Sequence, residues 1–337
     1  MSSVPTPQEM ARDARWLLQA YDPTTAQVRL VAMDADAYQA ASFLDDRMFD
    51  RPLDAHVVPW VTVEAGFLAA PRKDARWIFH IGHVGSTLVA RLLGEIPDVL
   101  SIREPRFLRD IVPLPAAQRS GMCTAAQHAF SRTFAPGETA LVKATSFVSE
   151  IAPELVPPGQ RALFMYAAPR AYVASILAGE NSVKELHALS ASRTARMAAR
   201  VTGLDGAERS DAHRAAAAWA CEMTSLEAAA EAIPDRLIEW ADFDAMLDDL
   251  APALGRVAGF FGFAADSGRL RNIADGPLMR RYSKALEYDY TPTLRRELIE
   301  EAQMLHRRNI DDALAMLRVA AEKSPLLRRA LERAGES

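Results

Sequence analysis

The chain has 337 residues, of which 50% are hydrophobic and 25% charged. That is ordinary for a soluble globular chain, and it fits one large α/β domain with extensions or two small domains. A formal net charge of −5 excludes a generic nucleic-acid footprint, which needs a basic excess.

The first nine residues, Met1 to Glu9, are polar with two prolines and lack the apolar core of a signal peptide. No run approaches the ~18 uninterrupted apolar residues of a membrane span. The two cysteines, Cys123 and Cys221, are far apart and form no CxxC pair. They read as two half-buried free thiols, and the expected location is the cytoplasm. Periodicity predicts a helix over residues 9–20 and a strand over 27–32, then two further segments over 35–49 and 56–67. Pro71-Arg72-Lys73-Asp74 reads as a polar linker. Nothing in residues 1–72 carries a catalytic signature, so they read as an accessory segment.

From Arg76 the pattern changes. Short apolar runs over 77–81, 99–102, 139–143, 161–166 and 236–240 read as strands. Helical patterns over 125–134, 171–177, 183–201 and 211–232 lie between them. Strands alternating with helices predict βαβ units and a parallel sheet. The end of the chain reads as helices interrupted at Ser324-Pro325.

The most informative segment is His80-Ile81-Gly82-His83-Val84-Gly85-Ser86-Thr87, between a buried strand and an amphipathic helix. Backbone N–H groups in such a loop form a nest for anions, and the following helix N-terminus adds its own. Gly82 and Gly85 allow close backbone approach, and Ser86 and Thr87 offer hydroxyls. The loop has no lysine before its Ser-Thr pair, so it is not the G-x-x-x-x-G-K-[ST] motif of nucleotide hydrolases. A plain strand–turn–helix connection is the alternative reading of the loop alone. His80 and His83 stand three apart, but no second cluster completes a metal site, so no metal is expected. No G-x-S-x-G elbow surrounds a serine.

Gly85-Ser86-Thr87 resembles the G-[ST]-T core of the sulfotransferase loop. Ser101-Ile102-Arg103-Glu104-Pro105 is similar to the family's Glu-Pro segment after the second strand. Leu141-Val142-Lys143-Ala144-Thr145 is similar to its strand ending in lysine. Residues 164–175 resemble its 3′-phosphate element, with Pro169 and Ser175 matching, and residues 236–262 its late strand and Phe-Phe-Gly helix. Arg280-Arg281-Tyr282-Ser283-Lys284 is similar to a basic segment near the donor phosphate. Two positions depart: Ala167 stands where the 3′-phosphate arginine belongs, and His83 where the family has a catalytic lysine or arginine.

The resemblance implies a three-layer P-loop-like fold with a central parallel sheet over residues 73–290, and a helical extension over 291–337. It implies 3′-phosphoadenosine 5′-phosphosulfate (PAPS) as co-substrate and no metal. The acceptor is then a hydroxyl or amine of a small molecule or glycan. Gly82, His83, Val84, Gly85, Ser86 and Thr87 would hold the donor, with Arg170 or Arg281 replacing the missing arginine and Ser175 on the 3′-phosphate. His83 would stabilise the leaving phosphate, Glu104 would be the general base, and Lys143 would reach a phosphate or the acceptor. For each there is a structural alternative. His83 would bond backbone, Glu104 would pair with Arg103, Arg106 or Arg109, Lys143 would snorkel to solvent, and Ser175 would bond back to its own helix. Residues 178–201 and the N-terminal segment are the expected acceptor walls. Arg193, Arg196 and Arg200, on one helix face, read as a solvated face or as the border of an anion pocket. An ATP-dependent small-molecule kinase and a non-catalytic sulfotransferase-like binding module remain open.

Overall fold

The computed structural model describes residues 3–50, 52–204, 206–280 and 292–336. Two sheets organise it. The first is antiparallel, β1 (Trp16–Asp22), β2 (Gln27–Ala32) and β3 (Ala55–Pro59), in that order. The second has five strands: β4 (Arg76–His80), β5 (Val99–Arg103), β6 (Thr139–Lys143), β7 (Ala162–Tyr166) and β8 (Ile238–Asp242). Their order is β5-β6-β4-β7-β8, and all four pairings are parallel.

The large sheet is covered on both faces. Successive strand residues point to opposite faces, yet Trp77, Ile78 and Phe79 are all fully buried. Helix Ser86–Leu93 packs on β4, β5 and β6, and the long helix Asp211–Ala232 also reaches β4. This is the three-layer parallel α/β arrangement that the alternating pattern predicts. Because every strand runs the same way, the segments leaving β4, β5, β6, β7 and β8 all emerge at one edge. In open α/β sheets that edge is where ligands bind.

The N-terminal region differs most from expectation. Its helix covers only Pro7–Arg12, and Trp16–Asp22 is a strand. The Asp13 carboxylate accepts from the Arg15 N–H at 2.9 Å, a turn that ends the helix. Pairing of β1 with β2 then overrides the helical preference of its leucines and alanine. The β1 residues from Trp16 to Tyr21 are buried. Buried Arg132, just past helix Ala116–Ala129, ties this region to the main sheet's layer by donating to the carbonyls of Met10, Asp13 and Trp16. The segment expected as a helix over 125–134 begins earlier, as Ala116–Ala129.

The C-terminal helices Arg307–Ala321 and Pro325–Arg333 pack on Asp211–Ala232. The break falls at Ser324, as expected. Both cysteines are buried rather than half-buried, and burial pushes each thiol up to about 12. No helix among the described residues is long and apolar enough to cross a membrane.

Candidate functional site

The loop after β4 takes an unusual backbone path. Gly82 has φ +82°, His83 +54° and Gly85 +59°, three left-handed residues in four. His80 braces it. Its Nδ1 accepts from the Gly82 N–H at 2.9 Å, so Nε2 carries the proton and donates to the Ala144 carbonyl at 2.9 Å. The loop is thereby tied to the end of β6. Helix Ser86–Leu93 starts at Gly85 with no side-chain cap, which leaves its first N–H groups without that partner. Such a start suits an anion.

Lys143 ends β6 and is 1% exposed. Its ammonium donates to Thr87 Oγ1 at 3.2 Å and to the Glu104 carboxylate. Glu104 follows β5, with its N–H on the Lys143 carbonyl at 2.7 Å and φ +54°. That backbone region costs a non-glycine residue about 1–2 kcal/mol. Strain of this kind persists only where surrounding contacts hold it. The other Glu104 oxygen receives Arg47, at 3.4 Å. The sequence-predicted Gly82–Thr87 loop, Lys143 and Glu104 thus converge at one sheet edge.

His83 lies beside them. Its Nε2 is 4.0 Å from Glu185 Oε1, and its ring stands edge-on to Tyr172. Glu185 belongs to helix Glu180–Met197. Chemically, the site offers a helix N-terminus without a side-chain cap, a buried ammonium and a carboxylate. These are the parts that a group transfer with developing negative charge requires.

No family model matches the chain, and no curated protein matches it. Among solved structures, the chain is similar to sulfotransferase domains. The sulfotransferase domain from the curacin biosynthetic pathway is 12% identical, over 78% of this chain and 98% of that one, with a TM-score of 0.46. The sulfotransferase domain of the Synechococcus PCC 7002 olefin synthase is 13% identical, over 68% and 89%, with a TM-score of 0.41. A mouse sulfotransferase complexed with PAP is 13% identical, over 77% and 89%, at 0.41.

Several of the residues expected at the donor site are engaged elsewhere. Arg170 pairs with Asp311 at 2.7 Å. The Ser175 hydroxyl donates to the Tyr172 carbonyl of its own helix at 2.8 Å, the back-bonded alternative. Arg281 lies outside the described residues. Glu104 pairs with none of the three arginines expected for it. Arg103 is buried and caps the carbonyls of Tyr38, Gln39 and Ala41, and Arg106 binds Asp46 and Asp110. Lys143 does not snorkel to solvent.

Arg193, Arg196 and Arg200 are not a solvated face. Arg196 bonds the 1%-exposed Glu222 at 2.6 Å, Arg193 lies 3.4 Å from the same carboxylate, and Arg200 bonds Glu150 at 2.6 Å. Arg193 and Arg196 point inward because buried Glu222 stands on helix Asp211–Ala232, which packs against theirs, while Arg200, in the turn after Met197, meets part-buried Glu150. Sequence reasoning missed Arg47 and Phe243, which have no motif around them, and treated His80 only as half of a failed metal pattern. The H-x-G spacing in His80-Ile81-Gly82 was the available signal for the brace.

Proposed function

We propose that the chain is a sulfotransferase-like enzyme that moves the sulfuryl group of PAPS to a hydroxyl or amine of a small molecule or glycan. The observation that carries this is the Lys143 ammonium, bound at once to Thr87 of the glycine loop and to Glu104. It puts a cation where the loop itself has no lysine, beside a carboxylate suited to take a proton.

The acceptor oxygen or nitrogen attacks sulfur as the bond from sulfur to the 5′-phosphate oxygen breaks. The products are the sulfated acceptor and adenosine 3′,5′-bisphosphate. The loop N–H groups, Thr87 and Lys143 hold the donor and offset charge on the leaving phosphate. His83 donates to the same oxygen. Glu104 accepts the acceptor's proton. No metal has a role in this scheme. Two buried thiols fit a cytoplasmic setting.

A second reading, a binding module without transfer activity, is favoured by one observation. Asp311 holds Arg170, and the Ser175 hydroxyl is spent on its own helix, so two candidate 3′-phosphate partners are engaged.

Calorimetry with adenosine 3′,5′-bisphosphate tests the proposal, on the wild type and on Gly82→Asp. A Cβ at Gly82 meets nothing closer than Ser146 at 3.9 Å, so that variant adds a carboxylate to the loop without a core collision, at a backbone cost of about 1–2 kcal/mol for its positive φ. Micromolar wild-type binding lost in the variant is expected. Wild-type binding without turnover of PAPS would favour the binding module. No wild-type binding overturns the donor assignment.

A further inference from the structure

Residues 43–50 follow helix Ala35–Ala40 and are laid against the end of β5. The Leu44 N–H donates to the Arg103 carbonyl at 2.7 Å, and the Arg106 N–H donates to the Leu44 carbonyl at 3.4 Å. Fully buried Gln19, from β1, donates to that same carbonyl at 3.3 Å. Asp46 is anchored by Arg29 of β2 and by Arg106. The N-terminal sheet therefore sets this segment at the strand end from which Glu104 emerges.

Arg47 is the residue this delivers. Its guanidinium lies over the Phe43 ring, 3.4 Å from the centroid. Its Nε and one terminal nitrogen bond the two oxygens of Asp45 at 2.8 and 2.7 Å. The same terminal nitrogen reaches Glu104 Oε2 at 3.4 Å, while Lys143 holds Oε1. The two oxygens of a glutamate at positive φ are thus divided between two cations. One comes from the large sheet and one from the N-terminal region. Asp45 takes the Nε–Nη2 edge of the guanidinium and Nη2 also reaches Glu104, so the contact that Arg47 makes with the site runs through Glu104.

We propose that Arg47 is a positioning residue, contributed by the N-terminal region, that fixes the Glu104 carboxylate toward the acceptor side of the cleft. The role assigned to Glu104 rests on the sulfuryl-transfer reading; the positioning itself does not. A planar guanidinium that stacks on Phe43 while bridging two carboxylates has no lysine equivalent. Lysine at position 47 therefore does not restore the arrangement.

The test is nitrogen NMR of the full chain with labelled lysine, following the Lys143 ammonium, whose buried hydrogen bonds slow its exchange with water. Lys143→Arg identifies the signal by its disappearance. In Arg47→Gln and Arg47→Lys, the loosened Glu104 should shift the signal or lose it to faster exchange. Arg29→Gln, which loosens the same segment through Asp46 and Gln19 but leaves the Arg47–Glu104 contact in place, should shift the signal less than Arg47→Gln does. The proposal is overturned by an Arg47→Gln spectrum that superimposes on wild type, by an equal change in Arg29→Gln, or by a wild type with no Lys143 signal. The measurement needs neither donor nor acceptor, so its failure and a failure to bind adenosine 3′,5′-bisphosphate are separate results.

Discussion

A Cβ placed on Gly85 would lie 1.9 Å from Cζ of Phe243. The ring is 1% exposed and begins the helix after β8, so a residue at one edge strand seals the underside of the loop after the central strand. Arg295 stacks on the same ring and pairs with Asp244. Gly85 is thus needed twice, for its φ of +59° and for its missing side chain.

Gly85→Ala should therefore cost several kcal/mol. About 1–2 kcal/mol comes from the left-handed backbone and about 1–3 kcal/mol from overpacking. Phe243→Ala alone should cost about 3–5 kcal/mol for the lost ring. The double variant should be markedly less unstable than the sum, because the collision no longer exists. Urea denaturation of the four proteins measures this. Strict additivity would mean that the ring does not press on the loop.

The Lys143–Glu104 pair gives a second cycle. Lys143→Met leaves the Glu104 carboxylate, 12% exposed, facing Arg47 alone. Breaking one side of a buried pair costs about 3–5 kcal/mol. Glu104→Gln added to it should restore part of that loss, since no uncompensated charge remains. A double variant no more stable than Lys143→Met would sink the pairing.

What the sequence disclosed depended on how local the cause was. β6 was legible from Thr139 to Lys143 because a strand buried on both faces must be a continuous apolar run. The glycine loop was legible because its conformation demands particular residues at particular positions. Trp16–Asp22 was not, because an apolar run with leucine and alanine becomes a strand only when β2 pairs with it. Arg193, Arg196 and Arg200 had the right spacing for one helix face, but nothing local says whether that face meets water or Glu222. Arg47 and Phe243 reach the site across 57 residues to Glu104 and more than that to Gly85, and no local motif marks such an encounter.

The arginine network leads to a test of rigidity. Glu222 holds Arg193 and Arg196 and Glu150 holds Arg196, so helix Glu180–Met197 is fastened from beneath, and Glu150 also holds Arg200 in the turn that follows it. That helix carries Glu185 to His83. Glu222→Gln should destabilise by about 3–5 kcal/mol, and hydrogen exchange should show that helix losing protection before β4 and β6 do. Equal loss across the chain would mean that the network stabilises the whole core rather than the wall beside His83.

Stability should also fall through mildly acidic pH. Burial, assisted by Arg209, lowers His213 below its ordinary 6.5, and burial, assisted by Lys73, does the same to His128. The unfolded chain therefore takes up these protons first as pH falls. The stability present above 6.5 begins to be lost there and continues downward until the folded histidines protonate. Asp45 works the same way in a separate, lower window. Burial raises it, but the Arg47 hydrogen bonds win and hold it below 3.8, so its contribution is lost only below that value. Asp110 and Asp242, both raised mainly by burial, act with the opposite sign. The histidine contribution is therefore isolated by difference. His213 bonds Ser210 Oγ at 2.8 Å, and His213→Asn keeps a polar partner there without the titration. Between about pH 8 and about pH 5.5, the urea midpoint of the wild type should drop further than that of His213→Asn. Parallel curves would show that His213 titrates alike in the folded and unfolded chains.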